Sequence, residues 1–181
     1  MKIEGDGKMK YTSAEANKLL KRLMDEEYAL IQQESMRDTF IAATVENIED
    51  VRPVYDFAAT QKKIDEYDAA IRKVKHAINR FNTTTTVPEF EMKIDEMLVY
   101  LPQLKRQKDK LDRMFKRLPK NRKGHGYGEK ASNFIEYEYA NYDIEAAKKL
   151  YEEVSDRLVK AQLWLDKVNN DLKEIELEIN L

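Results

Sequence analysis

The chain has 181 residues, 36% of them charged and 42% hydrophobic, and its 32 basic side chains nearly cancel 34 acidic ones. That length suits a single domain, the high charge suits long solvated helices, and the balance of signs gives no global attraction to a nucleic acid or an anionic membrane. Without a cysteine, the chain can form no disulfide, thiolate metal site or thiol nucleophile.

Residues 1–12 are polar with two glycines and read as a flexible N-terminus, lacking the apolar core of a signal peptide. No apolar run approaches the ~20 residues of a membrane span, so a soluble, cytoplasmic chain is expected. Thr12 and Glu15 have capping-box spacing, and Ala16, Leu19, Leu20, Leu23, Met24, Leu30 and Ile31 follow at helical intervals, predicting a helix over 13–38. From Thr39 to Val45 the residues are mainly β-branched or aromatic, and Val51 to Phe57 contains Pro53. Residues 39–57 therefore read as a β-hairpin-like connection.

Thr60 is the expected cap of a second helix over 60–81, where Ile64, Tyr67, Ile71, Val74, Ile78 and Phe81 step 3,4,3,4,3 before Asn82 and four threonines. A third helix over 94–118 carries Met97, Leu101, Leu104, Lys108, Leu111, Phe115 and Leu118. Pro102 should start it late or disturb it, because a proline inside a helix removes a hydrogen bond. Residues 119–140 read as a basic glycine loop followed by a strand, with Ile135, Tyr137 and Tyr139 on one face. Asp143 should cap the last helix, 143–179, whose Ile144, Ala147, Tyr151, Val154, Leu158, Ala161, Leu165, Val168, Leu172, Ile175 and Ile179 keep a 3,4 spacing over five heptads.

These elements predict a mostly α fold: an elongated antiparallel four-helix bundle with coiled-coil packing and a small β-sheet at one end. That sheet would be three-stranded, built from 39–57 and 133–140, with residues 82–90 and both termini at the other end.

Chemistry-bearing patterns are scarce. Neither His76 nor His125 falls in a Glu-x-x-His or His-x-x-x-His arrangement, and His76 reads as a helix-surface histidine. No nucleophile elbow or phosphate-binding Gly-rich motif occurs. The run Gly124 to Gly128 precedes a strand, not a helix, and reads as a connector. Carboxylate pairs such as Glu152 and Glu153 fit solvated helix faces. The expectation is a non-enzymatic chain with no catalytic, cofactor-binding or metal residue.

The main charge asymmetry lies between Lys105 and Lys123, where ten basic residues face Asp109 and Asp112, a local charge of +8. Lys105, Arg106, Arg113, Arg117, Arg122 and Lys123 would be the residues of a polyanion site, with Tyr127 nearby for stacking on a base. The competing reading is internal pairing, because residues 129–181 hold 13 acidic and 7 basic residues and the last helix can lie beside the third. Five tyrosines from Tyr127 to Tyr151 either cap the core or form a recognition surface.

The run Ile71 to Thr85, IRKVKHAINRFNTTT, followed by Met97 to Met114, MLVYLPQLKRQKDKLDRM, resembles bacterial helical proteins labelled septicolysin-like, with Ile78, Asn79, Asn82 and Thr83 as the specific part. The resemblance implies an all-helical, hairpin-based bundle and supplies no active site. No residue matches a lytic motif. The leading functional expectation is a scaffold or protein-interaction chain that forms a homodimer through surplus apolar surface on the last helix. Trp164, Leu165, Tyr137 and Tyr139 are its expected interface residues, and the alternative is a nucleic-acid-binding module.

Overall fold

The computed structural model describes residues 9–123 and 135–178. They form a mostly helical chain with three small antiparallel sheets. Its contacts separate into two compact units, one made of residues up to Thr85 together with those from Lys167 onward, the other of Thr86–Asp166.

In the first unit, strand β1 (Met9–Tyr11) leads into helix α1 (Ser13–Ser35). Thr12 caps α1 as its spacing predicts: the Thr12 hydroxyl accepts from the Glu15 amide at 3.1 Å, and the Glu15 carboxylate accepts from the Thr12 amide at 2.8 Å. Helix α2 (Ile48–Val51) is a single turn capped by Asn47, and α3 (Phe57–Thr84) returns antiparallel to pack on α1. Ala70, Ile71, Val74, Ile78 and Phe81 are buried on α3, against Ala16 and Leu23 on α1. Strand β6 (Ile175–Leu177) pairs with β1 in the register Met9↔Leu177, Lys10↔Glu176, Tyr11↔Ile175 and packs on α3.

The second unit opens with a hairpin, β2 (Thr86–Val87) and β3 (Met92–Lys93), whose turn holds Glu89 and Glu91 at positive φ. Helix α4 (Ile94–Phe115) follows with Met97, Leu104 and Leu111 buried seven residues apart. Strands β4 (Lys120–Arg122) and β5 (Tyr137–Tyr139) pair, and α5 (Ile144–Asp171) begins at Asp143, whose carboxylate accepts from the amides of Glu145 and Ala146. On α5, Ala147, Val154, Leu158, Ala161 and Leu165 are buried. The Phe115 and Tyr151 rings lie 4.8 Å apart, and the Tyr142 hydroxyl donates to the Met114 carbonyl at 2.8 Å, so the end of α4 meets the start of α5.

Several expectations need correction. The last helix stops at Asp171 and not at 179, because Glu174-Ile175-Glu176-Leu177 alternates with period two. Ile175 and Leu177 turn inward while the glutamates stay exposed. Leu172 and Ile175 satisfy a heptad and a strand alike, and pairing with β1 decides for the strand; Ile179 lies outside the described residues. The same ladder makes Met9–Tyr11 a strand within the N-terminus read as flexible.

No strand forms within 39–57. Asn47 nucleates α2, Arg52 pairs with Glu49, and the β-branched residues find no ladder to join. The expected three-stranded sheet is replaced by a local ladder in which Tyr137–Tyr139 pairs with Lys120–Arg122, within a stretch read as loop because its glycines and lack of an apolar period give no strand signal. Asp56, not Thr60, caps α3, and the hydroxyls of Thr83 and Thr84 bond back to the carbonyls of Asn79 and Arg80, which lets the helix absorb two of the four threonines. Helices α1 and α4 each end three residues earlier than expected. Helix α4 runs through Pro102 without losing its α assignment; Pro102 and Leu98 are both exposed, where water can serve the carbonyl that loses its donor.

The capping box should be measurable. Thr12→Ala removes a hydrogen bond at a buried N-terminus and should cost about 1 kcal/mol, lowering the thermal midpoint by about 2–4 °C. Thr12→Ser should recover most of that loss in the same calorimetric scan.

Candidate interaction surfaces

Helix α1 presents its buried side chains early, at Ser13, Ala16 and Leu23, and α3 presents its own from Ala70 onward. Between these, from Met24 to Ala69, no side chain is buried. This stretch is a two-helix arm with a connection at its tip, and it is rich in exposed apolar groups. Met24, Tyr28 and Ile31 form a 4,3 stripe on α1, while Ile41, Val45 and Val54 in the connection are more than nine-tenths exposed.

Polar contacts tie the arm together. Glu34 accepts from the Tyr55 hydroxyl and from the Gln61 amide, the latter at 2.7 Å. The hydrogen bond to Glu34 pushes the Tyr55 phenol up to about 12, with partial burial and the Glu34 charge adding to it. Partial burial likewise raises Glu27, and the neighbouring Asp68 carboxylate raises it further. Tyr67 is raised by desolvation and by Glu26.

The second surface is the basic face of α4 and the β4–β5 hairpin. Arg117 lies 3.5 Å from Glu138, Lys123 lies 3.4 Å from Glu136, and Lys116 lies 2.6 Å from Asp112. Among the described residues, Lys105, Arg106, Lys110, Arg113 and Arg122 make no ion pair with any carboxylate, those of α5 included. Neutralisation by the last helix, the competing reading of the sequence, therefore does not account for them. On α4, Arg106, Lys110 and Arg113 fall on the side opposite the buried Met97, Leu104 and Leu111, whereas Lys108 lies 5.8 Å from the Tyr151 ring of α5. Lys120 sits 3.9 Å above the Tyr137 ring and 5.5 Å from that of Tyr139, so both expected interface tyrosines are exposed and joined by one cation.

The other two expected interface residues differ. Trp164 donates its indole N–H to Glu89 at 2.9 Å. Leu165 is 6% exposed and belongs to the core, because it falls on the α5 seam with Leu158 and Ala161, so it is no surface anchor. Apolar surface does remain on the last helix, at Leu150, Val159 and Leu163, and a second exposed apolar stretch lies on the arm.

His76 is exposed on α3, where with Lys73, Arg80 and Thr84 it lines a groove of about 550 Å³ against Glu174–Glu178. The Lys73 ammonium donates to the Glu178 carbonyl at 3.4 Å. Among the described residues no group of three or more His, Asp or Glu side chains can hold a metal ion. His125, Tyr127 and the run Gly124 to Gly128 lie outside the described residues. Among the described residues, no helix is long and apolar enough to cross a membrane.

No protein-family model, curated protein sequence or solved structure matches the chain.

The arm and Lys110 are the candidate elements that the sequence reading leaves out. A signal for the arm was present in Met24, Tyr28 and Ile31, which lie off the stripe of Ala16 and Leu23. Lys110 was counted in the charge run and left out of the site, although it stands four residues after Arg106 and three before Arg113.

The Glu27 carboxyl binds its proton more tightly in the folded chain than in the unfolded one. Its contribution to stability is therefore present below its usual titration range and is lost as pH rises through the raised value. Glu27→Gln should raise the thermal midpoint at pH 7 by about 1 °C, and the gain should vanish at pH 4 in matched melts.

Proposed function

We propose that the chain is a non-enzymatic interaction protein, cytoplasmic in setting, that assembles with a second copy of itself through the arm of α1 and α3. The observation that carries this reading is the absence of any buried side chain from Met24 to Ala69 in a segment bearing Met24, Tyr28, Ile31, Ile41, Val45 and Val54. Two helices bury too little of each other to hold such a surface in water, and contiguous exposed apolar groups on a helix face are what a partner helix covers. In this reading the antiparallel helical bundle with coiled-coil packing, expected within one chain, is completed along the arm by a second chain.

The charge order along α1 favours a second copy over an unrelated partner. Lys18, Lys21 and Arg22 precede Met24, and Asp25, Glu26 and Glu27 follow it. Laid antiparallel about Met24, two copies of α1 set each basic half beside the other's acidic half, the self-complementary arrangement that a two-fold axis requires. The stripe of Met24, Tyr28 and Ile31 then supplies the dry centre, and the connection after Ser35 extends the contact.

Sedimentation equilibrium on the full chain at micromolar concentration should return twice the monomer mass of 21.4 kDa. The double variant Met24→Glu, Ile31→Glu places like charges in the proposed seam and should return the monomer mass with an unchanged far-ultraviolet spectrum. A wild-type chain that stays monomeric across the concentration range overturns the reading, as does a double variant that stays dimeric.

A further inference from the structure

We infer that the outer face of α4 is a binding track for a single-stranded nucleic acid, with Arg106, Lys110, Arg113 and Arg117 on its phosphates and Tyr139 against a base. This site is independent of the self-association surface, which lies in the other compact unit.

The four cations stand at intervals of four, three and four residues, so they share one face and follow one another about 5–6 Å apart. Arg106 to Arg113 spans about 10 Å at the helical rise, and Arg117 continues the row just past the end of α4. Attraction to the negative end of a helix accounts for cations in the last turn, such as Arg113. It does not account for Arg106 and Lys110, which lie further back, and neither has a carboxylate partner among the described residues. The row forms a ridge between two shallow grooves that share Arg106 and Arg113, and Gln103 and Gln107 add amide donors along one of them. Three of the four cations are arginines, whose planar forks suit phosphate oxygens.

The row ends at a smaller groove of about 300 Å³, which Arg117 and Tyr139 line together with Asn121 and Glu138. The Tyr139 ring is 60% exposed. An exposed ring beside a cationic row is the pairing that holds unpaired bases and backbone together, because stacking needs a base whose face is free. A duplex hides those faces, and a lipid headgroup layer offers no unpaired base to stack on the ring. Single-stranded nucleic acid is therefore the occupant that uses both parts of the site.

Fluorescence anisotropy of the full chain with a labelled 20-nucleotide oligothymidine and an oligouridine of the same length tests this. Four phosphate contacts on a single strand predict a slope of about −3 in log K against log salt, hence an affinity loss on the order of 50-fold between 50 and 200 mM. The triple variant Arg106→Ser, Lys110→Ser, Arg113→Ser alters exposed side chains only and should reduce the slope to about −1. Tyr139→Ser should weaken binding about tenfold with the slope unchanged. No binding at 50 mM salt overturns the inference. So does a triple variant with the wild-type slope, equal or tighter binding of a 20-base-pair duplex, or binding confined to heparin or to phosphatidylserine vesicles.

Discussion

Burial of apolar side chains repeated at three and four residues along each long helix is the interaction on which the rest of this chain depends. On α3 the stripe is Ile71, Val74, Ile78 and Phe81; on α4 it is Met97, Leu104 and Leu111; on α5 it is Ala147, Val154, Leu158, Ala161 and Leu165. Each large apolar side chain taken fully from water contributes about 1.5–3 kcal/mol. The ion pairs, by contrast, sit on exposed side chains at the surface, where each contributes little. Charge keeps the outer faces solvated, while the apolar stripes hold the helices.

Where the seam stops, the character of the molecule changes. Beyond Leu23 on α1 and before Ala70 on α3 no side chain is fully buried: Leu30 and Ile64 are half-buried, and the polar contacts include the Tyr55–Glu34–Gln61 cluster and the Glu27–Asp68 carboxylates. Two carboxyls placed together between helices are poorly solvated and repel, which is why Glu27 holds its proton more tightly than an exposed glutamate. The arm thus joins half-buried and polar contacts with exposed apolar groups, because among the described residues no side chain from Met24 to Ala69 is buried.

The charged surface obeys the same geometry. Because Met97, Leu104 and Leu111 commit one face of α4 to the core, Arg106, Lys110 and Arg113 are left on the opposite side, beyond reach of the acidic residues of α5. The carboxylates that do meet this basic region are Asp112 on α4 itself, Glu138 on β5 and Glu136 just before it, and they engage only its far end, at Lys116, Arg117 and Lys123. A compositional balance between two helices therefore left a cationic face, since net charge carries no information about which sides of two helices meet.

The four long helices, the Thr12 and Asp143 caps and the spacing of the buried residues are determined within short windows of sequence, because periodicity and capping depend on neighbours three or four positions apart. Which strands form was decided by the tertiary structure. Ile175 and Leu177 fit a helix or a strand equally until Met9–Tyr11, far away in the chain, supplies a ladder, while Thr39 to Val45 has strand composition and no ladder to join. The same holds for the two surfaces: Met24 and Leu165 are both apolar residues in helical stripes, and only packing leaves the first in water and encloses the second. Local spacing is written along one helix, whereas exposure is a property of what the rest of the chain brings against it.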